Sequence, residues 1–379
     1  MNQLSDSIII TKLSNFVSEK FWLKPDRPIF IYGTGIVGRD VWQMLTAKKI
    51  PVTNYMDHRF KENTLIDGSY VIQPDSSSIP NKARAVIILA IHNREVNMQE
   101  LIDRLKSLGY SHFISMIDLY DHFSAKLGNR YWLSRRTFYL DNEKPIADAY
   151  ALWTDDLSRE IYSKTLEFRL TSNYSVLPLP DREHQYFPPD LPSWKAPIRM
   201  IDCGAYDGDT IRNFGQNGYV LSALAAFEPD LRNYASLSKF IRETGKTIPE
   251  VSLWPCGVHA STRQLYFTSG ESDASRIKDT GKTMIQCVSL DDAVTNFAPT
   301  LIKMDIEGAE YDALLGSRNL IATYQPGLAI SIYHTPAHLW EIPLWVAQFA
   351  TENKLGYTYH LRSHAYNCFD TVFYAIPIT

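Results

Sequence analysis

The stretch Asp202-Cys203-Gly204-Ala205-Tyr206-Asp207-Gly208 follows an apolar run that predicts a buried strand, and its glycines predict a tight turn at the end of that strand. The next apolar run ends at Glu228. A glycine turn lets a ligand approach the backbone, and an acid at the tip of the next strand can hold ribose hydroxyls. The turn lacks the three-glycine spacing of dinucleotide binders, so it predicts a nucleoside ligand without a pyrophosphate, such as S-adenosylmethionine. A turn without any ligand is the alternative.

A second motif, Leu301-Ile302-Lys303-Met304-Asp305-Ile306-Glu307-Gly308-Ala309-Glu310, predicts an apolar strand that ends in acids and precedes a helix. Asp305 then lies at the carboxyl end of a strand, where open α/β sheets place their ligands. Taken in order, DCGAYDGDT, AFEPD, VSLDD and IKMDIEGAE resemble the FkbM family of S-adenosylmethionine-dependent methyltransferases. The resemblance runs from about Arg199 to Ile376, and it implies a class I methyltransferase architecture and a sugar or glycan hydroxyl as the methyl acceptor. Other acceptors occur in the family, including hydroxyls of polyketides, so the substrate stays open.

The elements of this C-terminal part predict an α/β fold, in which strands and helices alternate and the last two strands pair as an antiparallel hairpin. We predict strands at Arg199–Cys203, Leu224–Glu228, Val251–Val258, Leu301–Asp305, Leu328–Tyr333, Tyr357–Arg362 and Phe369–Ile376, an inserted hairpin of Arg263–Phe267 and Met284–Val288, and one helix running to Leu320 after the fourth strand.

The resemblance implies a task for each residue around the first motif. Gly204 removes a Cβ where the methionine part of the cofactor crosses the strand tip, and Asp202 accepts from its ammonium group. Glu228 takes both ribose hydroxyls, and Thr210 lies at a helix N-terminus, which favours the cofactor carboxylate. The polar run 272–275 either reaches the adenine or forms a simple turn. The predicted cofactor-binding residues are Asp202, Gly204, Ala205, Tyr206, Thr210, Glu228, Pro229, Cys256 and Gly257, the last two beside the adenine.

Asp305, Glu307 and His334 are the candidate catalytic residues, because methyl transfer to a hydroxyl needs an aligned acceptor and a base that removes its proton. His334 ends a predicted strand, and its ordinary pKa suits a base at pH 7 best. A satisfied polar residue at a strand end is the alternative. His360 and His364 on the last hairpin are further candidates for the base.

A divalent metal is a secondary expectation, because Asp305 and Glu307 can offer oxygen atoms to Mg²⁺. No convincing third acid accompanies them, so no metal ligands are predicted. Glu310 is assigned to the following helix rather than to the chemistry. Lys303 would be charged inside a buried strand and therefore needs a partner, which Asp305 or Glu310 can supply.

A smaller Rossmann-like α/β domain is predicted over residues 1–120. A buried strand leads directly into Gly33-Thr34-Gly35-Ile36-Val37-Gly38, which opens a helix, and the next strand ends at Asp57. In this layout Gly33, Gly35 and Gly38 offer helix amides to phosphates, and Asp57 offers its carboxylate to a ribose.

Further strands, Ala85–Ile91 and His112–Ile117, extend this domain. It is similar to the small Rossmann-type modules that precede catalytic domains in bacterial sugar-modifying enzymes. Bound NAD, a bound nucleotide or nucleotide-sugar, and an empty vestigial fold are all compatible with the pattern. No Tyr-x-x-x-Lys pair or other hydride-transfer apparatus follows in this half of the sequence.

Residues 121–197 are predicted to connect the two domains. Trp132–Arg169 reads as helical, whereas Ser175–Pro192 is broken repeatedly by proline, which fixes φ and removes backbone donors. The family resemblance extends faintly to Gln185-Tyr186-Phe187 and favours a lid over the site. A simple interdomain tether is the alternative.

The composition fits a soluble enzyme of 379 residues with a net charge of −4. No Lys/Arg block is present, so a nucleic-acid partner is not expected. The four cysteines are scattered, and neither a signal peptide nor a membrane span is evident, which predicts a cytoplasmic protein. The oligomeric state is left open.

We therefore predict an S-adenosylmethionine-dependent O-methyltransferase over residues 198–379 that methylates a hydroxyl of a sugar or glycan-linked substrate. The first alternative is a nucleotide-sugar oxidoreductase or nucleotide-sugar-binding protein that uses the turn from Gly33 to Asp57. The second is a non-catalytic protein of glycan assembly whose cofactor pocket has decayed, which the acids at Asp202, Glu228 and Asp305 argue against.

Overall fold

The computed structural model describes residues 27–61, 64–244, 247–268, 276–278 and 283–378. The chain forms two compact units. The first runs up to Ala147 and also includes Glu160–Pro180 and Ala365–Phe369, and the second comprises Asp148–Arg159, Asp181–His364 and Asp370–Thr379.

The first unit is built on a mostly parallel sheet, which within the described residues has six strands in the order β3-β4-β2-β1-β5-β6. Only β3 and β4 pair in antiparallel fashion. The strands are β1 Ile29–Tyr32, β2 Asn54–Met56, β3 Thr64–Ile66, β4 Ser69–Ile72, β5 Val86–Leu89 and β6 His112–Ile114, and the helices are α1 Ile36–Ala47, α2 Met98–Ser107 and α3 Met116–Leu127.

The predicted strand His112–Ile117 is wrong in its second half. Ser115 caps α3 instead, because its hydroxyl accepts from the Asp118 amide while the Asp118 carboxylate accepts from the Ser115 amide. This reciprocal capping satisfies two backbone donors and starts the helix at Met116. By contrast, every residue of β1 and β5 is buried, as their uninterrupted apolar runs predict for parallel strands covered on both faces.

Helices α4 Arg136–Asp141, α5 Glu143–Leu152 and α6 Asp156–Thr171 follow, which confirms the helical prediction for this stretch. Residues 177–197, all described, form neither helix nor strand. Their prolines account for this, since proline donates no backbone hydrogen bond and restricts the residue before it.

The second unit holds a sheet that shows seven strands in the described residues, in the order β16-β17-β15-β14-β7-β8-β9. Its pairs are parallel except those made by β17. The strands of the seven-stranded sheet are β7 Ile198–Cys203, β8 Leu221–Phe227, β9 Glu250–Trp254, β14 Leu301–Met304, β15 Gly327–Ser331, β16 Tyr357–Ser363 and β17 Thr371–Pro377. A separate sheet of the described residues consists of β10 Gly257–Val258, β11 Arg263–Thr268, β12 Arg276–Lys278 and β13 Thr283–Val288.

The helices of this part are α7 Asp209–Gln216, α8 Leu231–Thr244, α9 Leu290–Ala293, α10 Glu310–Leu315, α11 Arg318–Tyr324 and α12 His338–Glu352. The single predicted helix after the fourth strand is thus two helices, α10 and α11. The predicted third strand is also two: β9 ends before Pro255, and β10 joins a smaller sheet beside β13. Pro255 lies at this break, and proline has no backbone N–H to donate to a neighbouring strand.

Antiparallel pairing of β11 with β13 confirms the inserted hairpin. The polar run 272–275 lies outside the described residues. All four cysteines of the chain are buried thiols. Among the helices described, none combines the length and the apolarity that a membrane span requires.

Candidate functional site

The glycine turn and Asp305 lie side by side at one edge of the seven-stranded sheet. Gly204 has a φ of +79°, and its amide and that of Ala205 both donate to the Phe227 carbonyl at 3.0 Å. A Cβ on Gly204 would stand 2.0 Å from the Asp305 carbonyl oxygen. Glycine is therefore required here by the close approach of two strand ends.

Glu228 lies at the neighbouring strand end with both carboxylate oxygens engaged. Oε2 accepts from the Tyr206 amide at 2.9 Å, and Oε1 accepts from the Asp230 amide at 2.8 Å. Burial raises the pKa of Glu228 to about 7, although these two amides oppose the shift. The Asn233 side chain lies within hydrogen-bonding reach of the same carboxylate. A carboxylate has about four lone-pair positions, so at least one remains for another donor.

This arrangement fits the nucleoside that the sequence predicts. A remaining acceptor position on the Glu228 carboxylate can take a ribose hydroxyl, and Tyr206 beside it is 53% exposed with a φ of +46°. The N-terminus of α7, where Thr210 is buried in the first turn, follows the same turn and favours negative charge. Glu228 and this helix end would hold the ribose and the carboxylate of S-adenosylmethionine.

We expect the affinity for S-adenosylhomocysteine to depend on the Glu228 carboxylate. The Glu228→Ala variant should bind it about 1.5–3 kcal/mol more weakly near pH 8. Wild-type affinity should fall as the pH drops through about 7, where Glu228 gains a proton. Calorimetry across this range tests both effects, with the exposed acid Glu243→Ala as the control. Equal affinity in wild type and Glu228→Ala would remove the ribose assignment.

Asp202 is wholly buried and pairs with Lys303. The Lys303 ammonium lies 2.9 Å from Asp202 Oδ1 and donates to the Gly204 carbonyl at 2.7 Å. Burial favours the neutral amine, but the adjacent Asp202 carboxylate outweighs it and raises the pKa of Lys303. The predicted partners of Lys303, Asp305 or Glu310, are therefore wrong. The predicted role of Asp202 toward the cofactor ammonium stays a prediction, and any such contact would share its carboxylate with Lys303.

The remaining predicted cofactor residues are spread around Glu228. Pro229 is half-buried directly after it. Cys256 is buried between β9 and β10, and Gly257 begins β10. The Glu228 amide donates to the Trp254 carbonyl at 3.0 Å, which holds this chain segment beside the acid.

The candidate catalytic residues converge around one buried imidazole. His334 is wholly buried, and its Nε2 lies 3.4 Å from Asp305 Oδ1 and 3.7 Å from Glu307 Oε2. Its Nδ1 lies 2.7 Å from Glu310 Oε1. Glu310 is the first residue of α10 and is also wholly buried, and its carboxylate accepts from the Ile306 amide at 2.8 Å.

Glu310 is thus part of the site, contrary to its assignment to the helix alone. Burial disfavours a charged imidazole, but the carboxylates of Glu310, Glu307 and Asp305 outweigh it and raise the pKa of His334 to about 9. The ordinary pKa that favoured His334 as a base at pH 7 does not apply in this environment. The ring is an imidazolium at neutral pH, and Asp305 is the better candidate to accept a proton.

Asp305 has a second partner, which lies in the segment predicted to be either a lid over the site or an interdomain tether. The Tyr186 hydroxyl donates to Asp305 Oδ2 at 2.9 Å. We call residues 181–194 the strap. It is packed rather than open, because Tyr186, Phe187 and Trp194 are buried in the same apolar cluster as the strands of the sheet.

The other candidate histidines are engaged elsewhere. His360 Nδ1 lies 2.5 Å from an Asp155 oxygen, and His364 Nε2 lies 2.8 Å from the Tyr374 hydroxyl. Burial lowers the pKa of His364 to about 4.

A cation could be held by the same groups that surround His334. Asp305, Glu310 and His334 place ligand atoms within 4.8 Å of one another in the described part of the chain. Glu310 already accepts from a backbone amide and from His334, which leaves it better suited to orienting the imidazole than to binding a metal.

Asp57, the acid predicted to serve the glycine turn of the first unit, already accepts hydrogen bonds on both carboxylate oxygens. Asp57 is buried and accepts from Thr34 Oγ1 at 3.1 Å and from the Arg59 guanidinium at 3.0 and 2.7 Å. A Cβ on Gly38 would stand 2.0 Å from the Gly33 carbonyl oxygen, whereas one on Gly35 would meet nothing. Gly38 therefore allows close packing of helix and strand, and a ribose would have to displace a partner of Asp57. The nucleotide site in this unit stays a prediction.

Comparison with known proteins agrees with these features. Residues 202–359 match the family model for the methyltransferase FkbM domain. Among solved structures, the chain resembles methyltransferase FkbM from Methylobacillus flagellatus KT, with a TM-score of 0.76 and 20% identity over 99% of this chain and 100% of that chain. No curated protein matches.

Two more distant solved structures also match. They are a putative rRNA-methylase from Clostridium thermocellum, with a TM-score of 0.30 and 13% identity over 48% of this chain and 86% of that chain, and a precorrin-6y C5,15-methyltransferase from Geobacter metallireducens GS-15, with a TM-score of 0.26 and 10% identity over 47% and 79%. TM-scores this low do not support an inference about function.

The predicted α/β fold class is confirmed. A parallel sheet closed by the antiparallel β16–β17 hairpin is the class I methyltransferase fold, and the full-length structural match has this fold. The chain therefore carries, over residues 202–359, a methyltransferase domain of the FkbM family.

Proposed function

We propose that the chain is an S-adenosylmethionine-dependent O-methyltransferase whose acceptor is a hydroxyl of a sugar or glycan-linked substrate. The observation that carries this proposal is the position of the Asp305–His334 pair beside the nucleoside turn, since Gly204 and Asp305 belong to adjoining strand ends. When bound, the cofactor supplies an electrophilic methyl group. The protein must then align an acceptor oxygen and take its proton.

Asp305 is suited to this task, because its side chain is 24% exposed whereas His334 behind it is fully buried. The carboxylate can reach an incoming hydroxyl and accept its proton, which leaves Asp305 neutral. Before that step, the imidazolium behind it stabilises the charged carboxylate that accepts the proton. Glu307 is 34% exposed and offers a further acceptor. Carboxylates of this kind suit a sugar, whose neighbouring hydroxyls donate hydrogen bonds, and this chemistry supports the proposed substrate class.

The charge on His334 predicts how activity responds to pH. The pKa rises from its ordinary 6.5 to about 9 in the folded protein. The stabilisation from the imidazolium is therefore fully present below about pH 6.5 and is lost as the pH rises through 9. Above that pH the carboxylates repel one another, so kcat should fall. A pH–rate profile should show this limb in wild type and in the control His360→Gln but not in His334→Gln. A rate that rises through pH 9 would make neutral His334 the base.

Ligand identification tests the proposed class directly. Calorimetry on the purified chain should detect S-adenosylhomocysteine and show that Glu228→Ala weakens it. The alternative oxidoreductase would bind NAD or a nucleotide-sugar at the turn of the first unit instead, where the partners of Asp57 oppose a ribose contact. Binding of NAD without binding of S-adenosylhomocysteine would overturn the proposal.

A further inference from the structure

The Tyr186 hydroxyl is aimed at Asp305 by its own neighbour. Gln185 Nε2 donates to the Tyr186 hydroxyl at 3.1 Å, and that hydroxyl lies 2.9 Å from Asp305 Oδ2. A tyrosine hydroxyl has a single proton to donate. Because Gln185 occupies an acceptor position, this proton is directed to Asp305.

The backbone of Tyr186 is held in a strained conformation. Its φ is +74°, which is uncommon for a residue other than glycine, and such strain persists only where the surroundings impose it. Here the Tyr186 amide donates to the Tyr374 hydroxyl at 3.1 Å, and its carbonyl accepts from Trp194 Nε1 at 2.7 Å. Gly327 makes room for this anchor, since a Cβ there would stand 2.6 Å from the Trp194 ring.

The Tyr186 ring also lies beside the buried ion pair of Lys303 and Asp202. The Lys303 ammonium lies 5.4 Å from the ring centroid, within the range of a cation–π contact. The Tyr186 side chain thus contacts two charged groups, Lys303 on β14 and Asp305 directly after β14 ends.

We propose that Tyr186 is a positioning residue for methyl transfer. By donating to Oδ2 it fixes the rotation of the Asp305 carboxylate, so that Oδ1 faces His334 and the incoming acceptor hydroxyl. The catalytic part of this proposal rests on the proposed function. The hydrogen bond that orients Asp305 does not depend on it. The strap thereby contributes a side chain to the proposed active site.

The first experiment requires no acceptor. In protein labelled with ¹³C at aspartate carboxyl groups, the Asp305 resonance is identified by its loss in Asp305→Asn. We expect this resonance to move in Tyr186→Phe and to stay in place in the matched control Tyr357→Phe, which removes a buried hydroxyl bonded to the Pro326 carbonyl. An unmoved Asp305 resonance in Tyr186→Phe would overturn the proposal.

The second experiment measures coupling. Tyr186→Phe should lower kcat roughly 10- to 100-fold, as expected for a hydrogen bond to a charged group, while KM for S-adenosylmethionine stays near its wild-type value. In an Asp305→Asn background the same change should cost less than about twofold, because the group it positions is gone. An equal loss of kcat in both backgrounds would show that Tyr186 has only a structural role. If wild type methylates no hydroxyl, the proposed function fails, and the carboxyl resonance still decides the role of Tyr186.

Discussion

Asp305→Asn is expected to lose at least about 100-fold in turnover while S-adenosylhomocysteine binds with unchanged affinity. Removing a general base typically costs 10²–10⁴-fold in rate. Asparagine has nearly the same shape and can still accept from Tyr186, but it cannot take a proton from the acceptor. Since Asp305 contacts the imidazolium and the strap rather than Glu228, the nucleoside end of the site should be undisturbed.

Single-turnover kinetics with calorimetry on the same preparations separates chemistry from binding. Asp312→Asn serves as the control, because Asp312 is a half-exposed acid on the helix that begins with Glu310. Near-normal turnover in Asp305→Asn would place the base elsewhere, with Glu307 the next candidate. Chelator-treated wild type that regains activity only with Mg²⁺ would recast Asp305 as a metal ligand.

Lys303→Met is expected to lower the free energy of unfolding by about 3–5 kcal/mol. The change leaves the Asp202 carboxylate buried without its counter-charge, and breaking a buried ion pair from one side costs this much. The substitution also removes the ammonium group that donates to the Gly204 carbonyl, in the turn that precedes α7.

Urea unfolding followed by circular dichroism measures this loss. The double variant Asp202→Asn/Lys303→Met should recover part of the stability, because the uncompensated charge is then absent. Glu250→Gln, which breaks an exposed pair with Arg199, should change stability by at most about 1 kcal/mol. A loss of the same small size in Lys303→Met would show that the buried pair does not stabilise the sheet.

Local patterns predicted the frame of the site correctly. Apolar runs located the strands that end at Cys203, Phe227, Met304 and Ser331 to within a few residues. Because the carboxyl ends of parallel strands meet at one edge of a sheet, the order of these runs was enough to bring Gly204, Glu228 and Asp305 together. The predicted ends of two strands were wrong because local features stop those strands earlier. These features are the capping box at Ser115 and the proline at position 255.

The partners of the charged groups could not be predicted in the same way. Tyr186 lies 119 residues before Asp305 in the sequence, and no periodicity links a proline-broken segment to a strand end. Glu310 read as a helix residue, although its position at the first turn lets its side chain fold back to His334. One sequence feature could have indicated the role of Glu310. The motif Asp305-Ile306-Glu307-Gly308-Ala309-Glu310 holds three acids in six residues, more than the N-terminus of a solvent-exposed helix requires.

The proposed activity is tested most directly by methyl transfer from S-adenosylmethionine carrying a ¹³C-labelled methyl group, with NMR detection of the products. Free, nucleotide-linked and oligomeric sugars are offered as acceptors, and Asp305→Asn is run alongside wild type. We predict that wild type forms a labelled O-methyl group on a sugar hydroxyl and that the variant forms at least about 100-fold less. Label that appears only on nitrogen or carbon, or on no sugar although S-adenosylhomocysteine binds, would show that the chain is not a sugar O-methyltransferase.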